Sequence, residues 1–140
     1  QRGLPSSVVQ NVARVIENLD NRIDVADIVP SLLHGDLWSG NVSAIRCGAQ
    51  GKSGLVESSV SALFYDPAPY FGDREVDIAM TSLFGSLPNQ FYQKYREIFP
   101  EPADFAERRT SYNLYHALNH FTMFGPSYEP MVVSMADNWI

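Results

Sequence analysis

The run Leu33-His34-Gly35-Asp36-Leu37-Trp38-Ser39-Gly40-Asn41 decides how the rest of the chain is read. Asp36 and Asn41 stand in a D-x-x-x-x-N spacing, His34 lies two places before the Asp, and Gly35 and Gly40 bracket the run. Glycines so placed suit a backbone that turns sharply and comes close to a ligand. Asn41 to Cys47 reads as a strand, with Val42, Ala44, Ile45 and Cys47 as its apolar positions. Leu55-Val56 and then Ser61 to Tyr65 carry the return strand, which ends on Asp66. A hairpin over about 41–66 thus brings Asn41 and Asp66 to one end.

Upstream, Ser6 or Ser7 can cap a helix in which Val8, Val12, Val15, Ile16 and Leu19 repeat at helical spacing, ending near Asn21. Pro30 breaks the ambiguous segment 24–29, and Leu32-Leu33 leads into the loop. Downstream, Pro67, Pro69 and Gly72 are expected to keep 66–72 irregular. Asp73 caps a helix to about Phe84, with Val76, Met80, Leu83 and Phe84 as its stripe. Asp77 falls on that stripe, so it is expected to be buried and to need hydrogen-bond donors. Asn89 caps a short helix over 90–99 anchored by Phe91, Tyr92, Tyr95 and Phe99, and Asp104 starts the longest helix, to about Phe124. Leu114, Ala117, Leu118, Phe121 and Phe124 give that helix its stripe. Ser127 caps a last helix with Val132, Met135, Ala136 and Trp139 inward. The expected fold is mainly α with a small β-hairpin: a single domain over 1–140, with the loop at 33–41, the hairpin at about 41–66 and a helical bundle over about 73–140.

Composition narrows the function classes. The 140 residues are 45% hydrophobic and 19% charged, enough for one folded domain with one core. A net charge of -6 argues against an electrostatic grip on nucleic acid or an anionic membrane. The single cysteine, Cys47, rules out an intrachain disulfide and a cysteine metal cage, and fits a reducing, cytoplasmic setting. Gly51-Lys52-Ser53 imitates the end of a phosphate-binding P-loop, but Arg46 stands where that motif needs glycine. A hairpin loop is the better reading.

The spacing of Asp36 and Asn41 is that of a phosphotransferase catalytic loop, where the Asp accepts a hydroxyl proton and the Asn holds a metal ion. Phosphoryl transfer asks a protein mainly for positioning and charge neutralisation. Mg²⁺ keeps several waters, so the amide oxygen of Asn41 and the carboxylate of Asp66 suffice as protein ligands. Either residue alone would more readily be a turn former. Together, with the hairpin between them, they read as a site. His34 reads as a brace of the loop, and Asp77 as an internal brace bonding the loop's backbone N–H groups. Trp38 is either a packed aromatic or a face for a sugar or amine. Arg74 and Glu75 either pair with each other or with neighbours or form a solvated helix start, the second reading slightly preferred. His116 and His120, four apart, have a metal-compatible spacing but no evident third ligand, so they read as polar-face or core residues. Tyr112, Tyr115 and Phe121 read as core and rim.

The run from His34 to Asn41, the block Asp66-Pro67-Ala68-x-Tyr70-x-Gly72-Asp73-Arg74-Glu75-x-Asp77-Ile78-Ala79-Met80, and Leu83-Phe84-Gly85 strongly resemble the fructosamine (ketosamine) kinase family. Leu114-Tyr115-His116-Ala117-Leu118-Asn119-His120 and Phe124-Gly125 extend the resemblance. The wider group is that of aminoglycoside phosphotransferases and choline kinases, similar in fold to protein kinases. The resemblance implies ATP- and Mg²⁺-dependent phosphorylation of the 3-hydroxyl of a sugar carried on an amine, in the service of deglycation. The partners would be small ketosamines or glycated protein lysines. It also implies Asp36 as the base, Asn41 and Asp66 as metal ligands and Trp38 as a substrate platform. The family's N-terminal lobe, with a glycine-rich loop, a nucleotide-contacting Lys and its Glu, has no counterpart here, and Lys52 and Lys94 stand in the wrong context. The chain is therefore expected to be the C-terminal lobe of that fold, without most of the nucleotide clamp. Two other readings stay open: a catalytically silent module that self-associates through an uncovered lobe interface, and a kinase for another small hydroxyl substrate such as an aminoglycoside or choline.

Overall fold

The longest apolar stripe becomes the longest helix and the axis of the packing. In a computed structural model, which describes residues 3–21, 23–50 and 56–139, α4 (Phe105–Phe124) packs against both α2 (Arg74–Met80) and α5 (Glu129–Asp137). In turn α5 packs on α1 (Ser6–Glu17). Val8 and Val15 of α1, Leu114 and Ala117 of α4, Val132 of α5 and Trp139 just beyond it are buried together as the core. The Trp139 indole N–H donates to Ser111 Oγ at 2.7 Å, so the largest core side chain is also satisfied in its polar part. Ile16, on the expected stripe of α1, is 62% exposed, because only the Val8–Val15 line of that helix faces α5. Among the described residues no helix is long and apolar enough to cross a membrane.

The β structure forms two antiparallel pairs. β1 (Ser31–Leu33) pairs with β4 (Tyr70–Gly72), in the register Ser31 with Gly72 and Leu33 with Tyr70. β2 (Val42–Gln50) pairs with β3 (Val56–Phe64), from Val42 opposite Phe64 to Gln50 opposite Val56. The β2–β3 hairpin was expected, though its strands run further toward the turn. The positions Gly51, Lys52, Ser53 and Leu55 lie outside the described residues. The strand at Tyr70–Gly72 corrects the expectation of an irregular 66–72. The prolines at 67 and 69 precede the strand, so no ladder donor is lost within it.

Several helix ends differ by a few residues. α2 stops at Met80, short of Phe84, and Asn21 lies in a short 3₁₀ turn after α1. α3 runs Asn89–Ile98, so Asn89 is inside the helix and not its cap. A 3₁₀ turn over Pro126–Tyr128 absorbs Ser127 before α5 begins. Charge pairing at the start of α2 is also not local. Arg74 leaves Glu75 and lays its guanidinium over the Phe99 ring, 5.0 Å from its centroid. Glu75, 5% exposed, receives both Nε and Nη2 of Arg108 of α4 at 2.9 Å. The reading of Arg74 and Glu75 as a solvated helix start is thereby corrected. A fork-on-carboxylate pair can hold a buried charge where a solvated contact could not.

Breaking that pair from one side isolates a buried carboxylate. Arg108→Met is expected to cost about 3–5 kcal/mol in urea unfolding, and the double change Glu75→Leu with Arg108→Met to recover much of the loss.

Candidate active site

The loop is suspended from α2 by one side chain. Asp73 caps the helix, accepting the Glu75 N–H at 2.9 Å. One turn on, the Asp77 carboxylate accepts the backbone N–H of His34 at 2.7 Å and that of Gly35 at 2.9 Å. The other side of the loop is tied to the segment after the hairpin, where Ala68 N–H donates to the His34 carbonyl at 2.8 Å. Gly35 has φ of +79°, and a Cβ there would sit 1.9 Å from the Ala68 carbonyl oxygen. No other residue type fits that double constraint without displacing backbone.

His34 joins the loop to the end of the hairpin. Its Nε2 lies 3.0 Å from the Tyr65 carbonyl, and its Nδ1 3.3 Å from the Asp36 N–H. A carbonyl only accepts and an amide N–H only donates, so the neutral tautomer with the proton on Nε2 satisfies both.

Asn41 is 6% exposed, and its amide nitrogen gives both hydrogens to one residue: Asp36 Oδ2 at 2.8 Å and the Asp36 carbonyl at 2.9 Å. The Asn41 Oδ1 and the Asp36 Oδ1 accept no hydrogen bond among the described residues. One oxygen of each is thus free for a ligand. The Asn41 carbonyl receives the Tyr65 N–H at 3.1 Å, so Asp66 follows directly on the rung opposite Asn41. Asp66 has φ of +53°, the only positive value outside glycine among the described residues, and it precedes Pro67. Such a conformation costs on the order of 1–3 kcal/mol and is commonly found where a side chain must be aimed. The hard oxygens available at this corner, one amide and one exposed carboxylate, suit Mg²⁺. Among the described residues no three His, Cys, Asp or Glu side chains cluster to hold a metal unaided.

Trp38 does two things. Its ring covers Gly40, where a Cβ would come within 2.2 Å of it, and stands edge-on to Phe84 at 6.1 Å. It also lines, with Asp36, Tyr70, Phe84, His116 and His120, a cleft of about 1100 Å³. Ser39 Oγ donates to the Phe84 carbonyl at 3.2 Å, fixing the loop to the segment after α2. His120 packs on Phe84 at 4.4 Å and on Tyr128 at 5.1 Å, and its Nδ1 donates to the His116 carbonyl at 2.8 Å. Those ring contacts make His120 part of an aromatic wall. Deeper in the cleft, burial and then the Asp73 carboxylate it donates to at 2.6 Å push the Tyr112 hydroxyl above its ordinary range. Tyr112 therefore stays a proton donor. Neither the Tyr112–Asp73 bond nor the Glu75–Arg108 pair has a local sequence signal, since each joins residues more than thirty positions apart.

The family model described as fructosamine kinase matches residues 2–140. A Vibrio vulnificus protein named "Probable ketoamine kinase" is 43% identical over 126 residues, covering 90% of this chain and 37% of the relative. The "Protein-ribulosamine 3-kinase, chloroplastic" of Oryza sativa subsp. japonica is 34% identical over 140 residues, 100% of this chain and 37% of the relative. A crystal structure of a Thermobifida fusca protein assigned as a fructosamine-3-kinase matches with a TM-score of 0.75 at 30% identity, over 96% of this chain and 42% of that one. The chain thus spans well under half the length of these relatives. Helix-rich, with small antiparallel sheets, it has part of a kinase-like fold.

Two substitutions test the suspension of the loop. Gly35→Ala is expected to destabilise the protein by about 2 kcal/mol or more. Asp77→Ala, by leaving two backbone donors unpaired, should cost about 2–4 kcal/mol. Urea unfolding measures both, and backbone amide exchange at His34 and Gly35 should accelerate in the second.

Proposed function

The chain belongs to the fructosamine kinase family, and from that membership we propose that it carries the proton-accepting and metal-binding half of a ketosamine kinase site. The reaction is phosphorylation of the sugar 3-hydroxyl of a fructosamine or ribulosamine, on a small amine or a protein lysine, and its use is deglycation. The observation that carries the reading is the pairing of Asp36 with Asn41 through Nδ2 at 2.8 Å, with one oxygen of each left free.

In this reading ATP with Mg²⁺ would supply the phosphoryl group, and Asn41 through Oδ1 and Asp66 would hold the metal. Asp36 is oriented by the Asn41 amide and takes the proton of the attacking hydroxyl through its free Oδ1. His34 and Asp77 act on the reaction only by holding the loop. Trp38 offers its face to the sugar in the cleft, where an aromatic surface suits the C–H side of a pyranose or furanose ring. Residues 1–140 then act as one domain, the C-terminal lobe of the kinase, and the remaining nucleotide contacts belong to the part of the relatives that this chain does not span. A second reading, an interaction module that self-associates, rests on the apolar cross-strand pair Leu32 and Phe71, 68% and 73% exposed.

ATP consumption with Mg²⁺ and fructosyllysine decides between them. In the whole kinase that carries this segment, Asp36→Asn is expected to lower kcat by about 10²–10⁴-fold with little change in the KM for the ketosamine. An Asp36→Asn enzyme as fast as its parent would remove Asp36 from the mechanism. No turnover by the whole protein with any ketosamine would favour the module.

A further inference from the structure

Two buried side-chain atoms lack a hydrogen-bond partner among the described residues, Asn113 Oδ1 and His116 Nε2. Both belong to α4, but only His116 lines the cleft that also holds Asp36 and Trp38. His116 is 5% exposed, and its ring makes no hydrogen bond among the described residues. A histidine that served only the core would be expected to have a partner for its ring N–H, since leaving a buried donor unpaired is costly.

We propose that His116 is a substrate-binding residue, whose imidazole takes a hydroxyl of the sugar as a second anchor across the cleft from Asp36. The inference rests on the ketosamine kinase reading and goes beyond it by naming how the polyol is held. The torsion that swings an imidazole is broad, and this ring has no bond to break in turning toward the cleft it lines. The cleft wall combines aromatic rings, among them Phe84, Phe124 and Tyr128, with polar side chains that include Tyr112 and Asn119. A sugar hydroxyl buried against the rings would lose its water without a replacement, so a neutral hydrogen-bonding group beside them favours a polyol.

Charge supports the same role. Burial first, and then His120, hold the imidazole below the ordinary histidine range, against the pull of Asp36 and Asp77. A neutral ring can bind a hydroxyl without forming an ion pair with Asp36, which would lower the basicity that proton transfer needs.

The test is calorimetric titration with fructosyllysine of the whole kinase that carries this segment, beside thermal unfolding, for the parent, His116→Phe and His116→Gln. Phenylalanine keeps the ring and removes the orphaned polar atom. His116→Phe is expected to weaken binding about tenfold or more while leaving Tm unchanged or raising it. His116→Gln, which restores a donor and an acceptor, should recover part of the affinity. A His116→Phe kinase that binds as tightly as its parent, or that unfolds at lower temperature without losing affinity, would overturn the proposal and make His116 a core residue. Absence of fructosyllysine binding by the parent kinase would instead overturn the ketosamine site itself.

Discussion

Everything at the candidate site depends on the carboxylate of Asp77. It satisfies two consecutive backbone N–H groups, those of His34 and Gly35, and so fixes the entry of the loop to the first turns of a helix. A loop left to itself loses conformational entropy for each ordered residue, and two backbone hydrogen bonds to one carboxylate are among the stronger ways to offset it. Because α2 is packed on α4, the loop inherits the rigidity of the helical core. Gly35 is the complement of this restraint: its positive φ and the closeness of the Ala68 carbonyl allow the backbone to meet Asp77 and pass the hairpin exit at the same point.

From this fixed point the remaining contacts follow in sequence. His34, with Asp77 below, reaches the Tyr65 carbonyl and the Asp36 N–H from opposite sides of one ring. Asn41 closes the loop on Asp36 and, through its own carbonyl, starts the hairpin rung with Tyr65. The polar atoms of the loop are therefore mostly spent on one another. Those left over, one oxygen on Asp36 and one on Asn41, are the ones a reaction could use. The same accounting singles out His116 across the cleft, as a buried polar group that the fold has not satisfied.

Legibility in the sequence varied with the range of the interaction. The loop, the hairpin ending at Asp66 and the apolar stripes of α5 and, apart from Phe124, which is 61% exposed, of α4 could be read from spacing, because each is a local pattern of turn residues or helical repeats. Asp77 could be singled out because a carboxylate on an apolar stripe needs donors, although spacing alone did not name His34 and Gly35 with certainty. The strand Tyr70–Gly72 could not be read, since two nearby prolines mask it and its partner lies at Ser31–Leu33. The burial of Glu75 was equally hidden, because the Arg108 that makes it tolerable is thirty-three residues away.

By itself, then, the sequence determined which residues are chemically equipped: an Asp and an Asn at loop spacing, a carboxylate at a strand end and glycines where the backbone must turn. These follow from local geometry and from what each side chain can donate or accept. Only the tertiary structure decided which of their atoms are occupied. That Asn41 spends its nitrogen on Asp36, that Trp38 both covers Gly40 and walls a cleft, and that His116 lines the cleft with a buried, unpaired Nε2 are all results of packing. The physical reason is that hydrogen-bond satisfaction and burial depend on distant segments brought together, and no spacing along one chain records which polar group will be left without a partner.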